Sequence, residues 1–139
     1  MNETTARVQT TVVEPATRTP PPQEIGEYVL ILDDGGTLAL TAHLLIGREP
    51  ATHPDVRSGV RRGLLLIDET NALSRHHLAL SVDGGGIDVT DLGSANGTMI
   101  VDNSTGESSP LVPRRATRLA IGDRVHVGAR SFQLGYRHG

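Results

Sequence analysis

Short runs of apolar and β-branched residues, separated by glycine, aspartate and asparagine, recur along the chain from Tyr28 onward. The run Tyr28–Leu32 is followed by Asp33-Asp34-Gly35-Gly36, a pattern typical of a strand that enters a tight turn. The stretch Ser81–Val89 holds three consecutive glycines between two apolar runs, and glycine permits the positive φ angles of a hairpin turn. No long helical stripe interrupts this pattern, which therefore predicts an all-β sandwich or barrel.

The remaining predicted strands are the other apolar or β-branched runs: Leu44–Gly47, Leu64–Ile67, His77–Val82, Ile87–Thr90, Thr98–Val101, Arg124–Val127 and Ser131–Tyr136. Two stretches between them, Glu49–Gly63 and Asp102–Pro113, contain proline, glycine and serine and are predicted to be long loops without a helix. Long loops on a β scaffold are often functional, although simple solvated excursions are at least as common.

Residues 1–24 have a different composition, rich in Thr, Pro, Glu and Arg, with Pro20-Pro21-Pro22 close to their end. They lack the hydrophobic periodicity that could offset the entropy of ordering the chain. We therefore predict a flexible, disordered Thr/Pro-rich tail over residues 1–24 and one folded domain over residues 25–139, as a chain of 139 residues allows.

The composition excludes several classes of function. A net charge of −3 argues against a nucleic-acid partner, since such binding depends on many clustered cations. The absence of cysteine removes disulfides, thiolate metal sites and a cysteine nucleophile. No apolar run approaches a membrane span and Met1–Thr10 has no signal core, so we expect no membrane insertion and a cytoplasmic location, either free or as the soluble part of a longer protein. All 13 basic residues are arginine, which suggests a GC-rich bacterial genome.

Three polar clusters stand at the ends of predicted strands: Gly47-Arg48, Ser74-Arg75-His76-His77 and Gly93–Thr98. Strand-end loops are where a sandwich presents binding groups. Within these clusters Arg48 offers a fork of donors for a dianionic phosphate, and Ser74 could add a hydroxyl donor. Asn96 carries an amide donor and acceptor that could hold an extended peptide.

In this order the clusters resemble the signature of the forkhead-associated (FHA) domain, which is Gly-Arg, then Ser-Arg-x-His, then Asn-Gly-Thr. The likeness continues in Asp91-Leu92-Gly93-Ser94 and in Gly122-Asp123, Gly128 and Phe132, and the composition suggests a bacterial, actinobacterial type. The resemblance implies a sandwich of about eleven strands in two twisted, mainly antiparallel sheets. It also implies an adaptor that binds phosphothreonine peptides in Ser/Thr kinase signalling, without catalysis, metal or cofactor.

The resemblance also implies a role for each matched residue. Arg48 and Ser74 would contact the phosphate, Arg75 would lie beside the peptide, and Asn96 would bond its backbone. The residues with an implied supporting role are Gly47, His77, Gly97 and Thr98. Partners would be phosphothreonine proteins, including a Ser/Thr kinase or its substrates. The chain departs from the family at Ala95, where a hydroxyl residue is frequent, and in the longer loop after Arg48.

Two other functions compete with this interpretation. Ser74, His76, His77 and Asp91 could suggest an enzyme, but consecutive histidines on a strand point to opposite faces and cannot bind one metal there. Gly93–Gly97 also lacks the central serine of a nucleophile elbow. The second alternative is a structural or assembly domain that binds an unphosphorylated partner.

Four threonines of the tail are candidate phosphorylation sites: Thr4, Thr5, Thr10 and Thr11. The element Glu3-Thr4-Thr5 is similar to phosphoacceptor tails of some actinobacterial FHA regulators, in which the phosphorylated tail occupies the site of its own domain. Autoinhibition by intramolecular tail binding is therefore one hypothesis. The other is a tail whose threonines are incidental.

Overall fold

The computed structural model describes residues 26–138, so the predicted tail over residues 1–24 and its four threonines lie outside the described residues. Tyr28–Tyr136 is one compact unit. The strands are β1 (Glu27–Leu32), β2 (Thr37–Ala39), β3 (Leu44–Gly47), β4 (Arg62–Leu65), β5 (Leu78–Asp83), β6 (Gly86–Asp91), β7 (Thr98–Val101), β8 (Ser108–Pro110), β9 (Thr117–Leu119), β10 (Arg124–Val127) and β11 (Arg130–Arg137). Two short helices lie between β3 and β4: α1, a 3-10 turn (Pro50–Thr52), and α2 (Pro54–Arg57).

The strands form two sheets. One has six strands in the order β2-β1-β11-β10-β7-β8, and the other has five in the order β4-β3-β5-β6-β9. Neighbouring strands with a defined register are antiparallel, except that β3 and β4 run parallel. The predicted all-β sandwich with mainly antiparallel sheets is confirmed. No helix in residues 26–138 is long and apolar enough to cross a membrane.

The core lies between the two sheets and is almost entirely aliphatic. Leu30 and Val125 from the six-stranded sheet meet Ile46, Leu80 and Val89 from the five-stranded sheet, and all five are fully buried. The apolar positions alternate with more exposed ones along β6 and β10, as expected for strands with one buried face. This apolar layer fixes the strands whose ends carry the polar clusters.

The structure corrects two of the sequence predictions. The predicted strand Leu64–Ile67 is β4, Arg62–Leu65, because the parallel pairing with β3 runs from Arg62 to Leu65. The side chain of Leu65 is exposed although its backbone is paired, and Ile67 is exposed beyond the end of the strand. The stretch Glu49–Gly63 was predicted to have no helix, but it contains α1 and α2. The two helices begin at Pro50 and Pro54. Proline suits the first turn of a helix, because the N–H group that it lacks would have no partner there.

Register brings the polar clusters to one end of the sandwich, which we call the apical end. Ile46 near the end of β3 pairs with Leu78 at the start of β5, and Leu78 pairs with Asp91 at the end of β6. The loops that follow β3, precede β5 and follow β6 therefore lie side by side. These are the loops that contain the three polar clusters of the sequence.

Candidate functional site

Gly47 fixes the distance between two loops of the apical end. It is buried, and a Cβ added to it would lie 2.0 Å from the carbonyl oxygen of Arg75, so any side chain would push the loop before β5 away. The close approach lets the Arg48 N–H donate to the Ser74 carbonyl at 2.9 Å and the Glu49 N–H donate to the Arg75 carbonyl at 3.1 Å. Glycine is therefore required at this position.

The side chain of Arg48 is exposed, and one of its nitrogens is anchored. Its Nε donates to the Leu73 carbonyl at 3.3 Å, which holds the guanidinium against the loop before β5. Among residues 26–138 no carboxylate pairs with it, and its two terminal nitrogens have no hydrogen-bond partner. A guanidinium whose outer fork is free can bind two oxygens of a phosphate group.

The hydroxyl of Ser74 accepts one hydrogen bond and donates none within the described chain. Its Oγ accepts the Ala95 N–H at 3.0 Å, which joins the loops before β5 and after β6. Its own proton has no acceptor among residues 26–138 and can donate to an incoming oxygen. Ala95 thus contributes to this contact through its backbone.

Asn96 links two loops through the nitrogen of its side-chain amide. Its Nδ2 donates to the Ala72 carbonyl at 3.0 Å, and the side chain is exposed. Within residues 26–138 its Oδ1 has no donor. An amide in this state can still accept a hydrogen bond from the backbone of an extended peptide.

Beneath these groups His77 is fully buried, and both of its ring nitrogens are used. The Ser74 N–H donates to Nδ1 at 3.0 Å, so the neutral ring carries its proton on Nε2, which donates to the Gly97 carbonyl at 2.9 Å. Gly97 has φ +80°, a conformation that favours glycine. His77 therefore connects the Ser-Arg-x-His loop to the Asn-Gly-Thr loop.

Asp91 is the centre of a second buried network and is only 1 % exposed. Its Oδ1 accepts the hydroxyls of Ser94 at 2.6 Å and Thr98 at 2.7 Å, and its Oδ2 accepts the N–H groups of Gly93 and Ser94 at 2.9 Å each. Burial raises the pKa of Asp91, but these four hydrogen bonds to the carboxylate outweigh it and hold the pKa below its ordinary value. The network fixes the shape of the loop after β6.

Asp91 was not among the residues predicted for the site. A signal was present, because an aspartate followed two residues later by glycine and three later by serine is typical of an Asx turn. Asp68 was also missed: it accepts the Thr70 hydroxyl at 2.7 Å and the Ala129 N–H at 3.3 Å. The hydrogen bond from Thr70 lowers the pKa of Asp68 against the opposing effect of burial.

The geometry does not form a nucleophile and base. His77 receives the backbone N–H of Ser74 and not its hydroxyl, and its other nitrogen faces the Gly97 carbonyl. His76 and His77 both precede β5, which begins at Leu78, and His76 places Nε2 2.7 Å from the hydroxyl of Thr52. No group of three or more metal-ligating side chains occurs within residues 26–138.

The long loop after Arg48 is held to the site by side chains. Nε of Arg75 lies 3.3 Å from a carboxylate oxygen of Glu49, and both side chains are at least half exposed. The rings of His53 and His76 meet edge to face at 4.8 Å. Together with the Thr52 contact, these interactions orient the loop over the side of the site.

A shallow apolar depression of about 390 Å³ lies between this loop and β4. Its lining includes Arg48, Pro50, Val56 and Leu65, and Leu65 is 57 % exposed. The depression therefore adjoins Arg48.

The structure thus brings every sequence-predicted site residue of the folded part to the apical end. Those with exposed side chains are Arg48, Arg75 and Asn96, with Ser74 partly exposed; those beneath or between the loops are Gly47, His77, Gly97 and Thr98.

Comparison with known proteins gives the family of this fold and site. Residues 44–128 match the FHA domain family, more than half of the chain, and the chain belongs to that family. FHA domains are generally binding modules without enzymatic activity.

Solved structures agree with this assignment. A structure from a study of phosphothreonine-dependent FHA domain interactions has 26 % identity, a TM-score of 0.55 and coverage of 78 % of this chain and 95 % of that one. The FhaA FHA domain complexed with the intracellular domain of Rv3910 also has 26 % identity and a TM-score of 0.55, over 77 % of this chain and 98 % of that one. The FHA domain of human APLF with an XRCC1 bisphospho peptide shares the fold at 23 % identity and a TM-score of 0.57, over 78 % and 97 % of the two chains. No curated protein matches the sequence.

Proposed function

We propose that this FHA domain is a phosphothreonine-peptide-binding adaptor in Ser/Thr kinase signalling. The observation that carries the proposal is the guanidinium of Arg48, which is exposed, anchored through Nε, and without a carboxylate partner in residues 26–138. A phosphate dianion supplies the two acceptor oxygens that such a fork can bind. The chemistry required is recognition, and we propose no catalytic step.

The proposed roles follow from the donors that remain unused. Arg48 and the hydroxyl of Ser74 bond the phosphate oxygens, and Asn96 bonds the peptide backbone through its amide. Arg75 lies beside the peptide, where its exposed pair with Glu49 contributes little and is easily exchanged for a ligand contact. Gly47, His77, Gly97 and Thr98 keep these groups in position.

We propose that the partners are proteins phosphorylated on threonine, including a Ser/Thr kinase or its substrates, and that they meet this domain in the cytoplasm of an actinobacterium. Support comes from the similarity to a structure studied for phosphothreonine-dependent interactions. Support for the origin comes from a basic complement made only of arginine.

The direct test is a calorimetric titration of the protein with four peptides that differ only at one threonine: phosphothreonine, threonine, phosphoserine and aspartate. Only the phosphorylated peptides should bind measurably. Phosphoserine should bind several-fold more weakly, because one buried methyl is worth about 0.8 kcal/mol. Equal affinity for the threonine and phosphothreonine peptides would contradict the proposal.

The apolar depression beside Arg48 favours one alternative, an assembly domain that binds an unphosphorylated partner. Pro50, Val56 and Leu65 could receive an apolar side chain there without any phosphate. The two functions differ in the variant that removes binding. Leu65→Ser should be the damaging change for an assembly domain, and Arg48→Ala for a phosphothreonine adaptor.

We propose in addition that the phosphorylated tail competes for the same site. From Thr11 to Glu27 there are sixteen residue steps, and at about 3 Å per residue the tail could reach roughly 50 Å, more than the diameter of a small domain. A tethered ligand can also have an effective concentration in the millimolar range. Phosphorylation at Thr4, Thr5, Thr10 or Thr11 would then inhibit the adaptor.

The test is to phosphorylate the full chain and compare its amide spectra with those of an Arg48→Ala variant treated in the same way. Autoinhibition predicts shifted signals at Arg48, Ser74 and Asn96 and weaker binding of external phosphopeptide, both only in the wild type. Unmoved signals and unchanged binding would show that the tail does not occupy the site.

A further inference from the structure

The segment that connects β8 to β9, residues 111–116, crosses from one sheet to the other at the apical end. Pro110, the last residue of β8, pairs with Met99 near the start of β7. Thr117, the first residue of β9, pairs with Val89 near the end of β6. The crossing segment therefore passes beside the loop between β6 and β7, which contains Asn96.

Arg114 in this segment has an unusual and well-fixed backbone. Its φ is +66°, in the left-handed region that residues other than glycine adopt rarely. Its N–H donates to the Asp91 carbonyl at 2.8 Å, at the point where β6 ends. The hydrogen bond ties Arg114 to the same strand end that carries the buried Asp91 network.

The guanidinium of Arg114 lies across Gly93. A Cβ added to Gly93 would be 3.1 Å from one terminal nitrogen of Arg114, 3.6 Å from Nε and 3.7 Å from the central carbon of the group. Gly93 itself has φ +81°. The absence of a side chain at Gly93 leaves the space that this guanidinium occupies on the outside of the loop.

Arg114 is exposed, and its positive charge is not paired within the described residues. In the part of the chain that the structure describes, its guanidinium pairs with no carboxylate and donates no hydrogen bond. This state resembles that of Arg48 and differs from that of Arg118, which pairs with Asp83 and Asp88.

Arg114 is also close to the groups assigned to phosphate. Gly93 is two residues before Ala95, whose N–H donates to the hydroxyl of Ser74 at 3.0 Å. Backbone dimensions then limit the distance from the Arg114 guanidinium to the Ser74 hydroxyl to at most about 16 Å. An extended peptide advances about 3.3 Å per residue, so its residues up to about five positions from the phosphothreonine can reach Arg114.

We infer that Arg114 is a specificity-determining residue that binds an acidic group of the peptide, either a carboxylate or a second phosphate, within about five residues of the phosphothreonine. This inference rests on the proposed phosphothreonine function. Arg114 supplies a further positive charge, on the opposite side of the loop after β6 from Arg48. It selects among phosphothreonine peptides and does not bind the phosphothreonine itself.

Arg115 provides a matched control. It is the next residue, it is also an exposed arginine, and its N–H donates to the Val112 carbonyl at 3.2 Å. It lines a depression of about 290 Å³ whose other lining residues include Asp102 and Asp123, away from Gly93. Replacing Arg115 changes the net charge as replacing Arg114 does, but leaves the guanidinium over Gly93 in place.

The experiment uses the full chain as wild type, Arg114→Gln and Arg115→Gln, with fluorescence anisotropy as the readout. One peptide carries a central phosphothreonine between alanines, a second set moves a glutamate through five positions on each side, and a third set moves a phosphoserine through them. We expect glutamate at one or two neighbouring positions to strengthen wild-type binding about two- to fivefold at low salt, and phosphoserine there to strengthen it more. The gain should disappear in Arg114→Gln and persist in Arg115→Gln, while the alanine peptide binds all three proteins within about twofold.

A charge-reversal variant tests whether the charge at position 114 sets the preference. Arg114→Glu should prefer a peptide with lysine at the position where wild type prefers glutamate. Arg114→Gly, which suits the left-handed backbone, should lose the acidic preference without losing thermal stability. If no position responds to acid, or if the response survives in Arg114→Gln, the inference is overturned. If the alanine phosphopeptide does not bind wild type at all, it is the proposed function that fails.

Discussion

The outer polar groups of the apical end differ from the inner ones in how many of their hydrogen-bonding atoms are already used. In His77 and Asp91 every polar side-chain atom has a partner, and both residues are buried. Arg48, Ser74 and Asn96 each make one anchoring hydrogen bond and keep further donors or acceptors free within residues 26–138. The inner groups therefore hold the loops, and the outer groups remain available to a ligand.

Two arginines of the same sandwich show the difference most clearly. Arg130 donates from Nε and one terminal nitrogen to Asp33, at 3.0 and 2.8 Å, and from the other terminal nitrogen to the Ile67 carbonyl at 2.8 Å. The hydrogen bond from Arg130 lowers the pKa of Asp33. Arg48 has a single contact to a carbonyl. Arg130 is thus a structural residue, whereas the two terminal nitrogens of Arg48 have no partner within residues 26–138.

The largest expected effect is on stability, from Asp91→Ala. The substitution leaves two hydroxyls and two N–H groups without their acceptor, so we expect the free energy of unfolding to fall by about 3–5 kcal/mol. Chemical denaturation followed by circular dichroism measures the change.

Asp88→Ala is the control for this prediction. Asp88 lies on the same strand, but its partner is Arg118 in an exposed ion pair, so the loss should stay below about 1 kcal/mol. Equal losses for the two variants would contradict the claim that the buried Asp91 network contributes more to stability than an exposed ion pair.

A smaller loss of stability is expected for His77→Ala. The change leaves the Ser74 N–H and the Gly97 carbonyl unpaired and creates a cavity, together about 2–4 kcal/mol. The melting temperature should fall by about 10 °C or more, while the fraction that remains folded keeps most of its phosphopeptide affinity. A normal melting curve combined with lost binding would make His77 a ligand contact instead.

The pH dependence of stability should also report the inner network. Because the pKa of Asp91 is lowered in the folded protein, the unfolded chain binds a proton first as the pH falls below the ordinary value of 3.8. The stabilisation is complete above that value and is lost as the pH falls through the folded pKa. Urea unfolding between about pH 5 and pH 2 should show a shallower decline in Asp91→Asn than in wild type. An equal slope in the two proteins would mean that Asp91 does not contribute.

The smallest effect is expected for Ser74→Ala, which removes one hydroxyl donor from the outer set. Phosphopeptide affinity should fall about five- to tenfold, or roughly 1–1.5 kcal/mol. Stability should change little, because the Ala95 N–H that loses its acceptor belongs to an exposed residue and can bond water. If the melting temperature drops as far as in His77→Ala, Ser74 holds the loops together as His77 and Asp91 do.

Much of the sandwich could be predicted from the sequence, because most of its strands are apolar or β-branched runs separated by turns that contain glycine, aspartate or asparagine. The strands that were missed, β2, β8 and β9, have only three residues each, too few to show a period of two. The start of β4 was misplaced because the four apolar residues Leu64–Ile67 suggested a buried strand, whereas two of them are exposed.

Some residues at and around the candidate site could likewise be predicted from the sequence, and others could not. Arg48, Ser74 and Asn96 were predicted because each belongs to a short motif at the end of a strand. Asp68 and Arg114 depend on contacts with segments far along the chain, Asp68 with Ala129 and Arg114 with Gly93. Periodicity and local motifs carry no signal for such contacts, so these residues could be found only in the folded structure.

The most direct test of the central claim compares Arg48→Ala with Arg130→Ala by titration with one phosphothreonine peptide, after thermal melting has measured the folded fraction. Arg48→Ala should keep the wild-type melting temperature within a few degrees and lose at least about tenfold in affinity, since charge-assisted hydrogen bonds contribute about 1.5–3 kcal/mol each. Arg130→Ala should melt lower, and its folded fraction should bind as wild type does. Unchanged affinity in a folded Arg48→Ala protein would contradict the account.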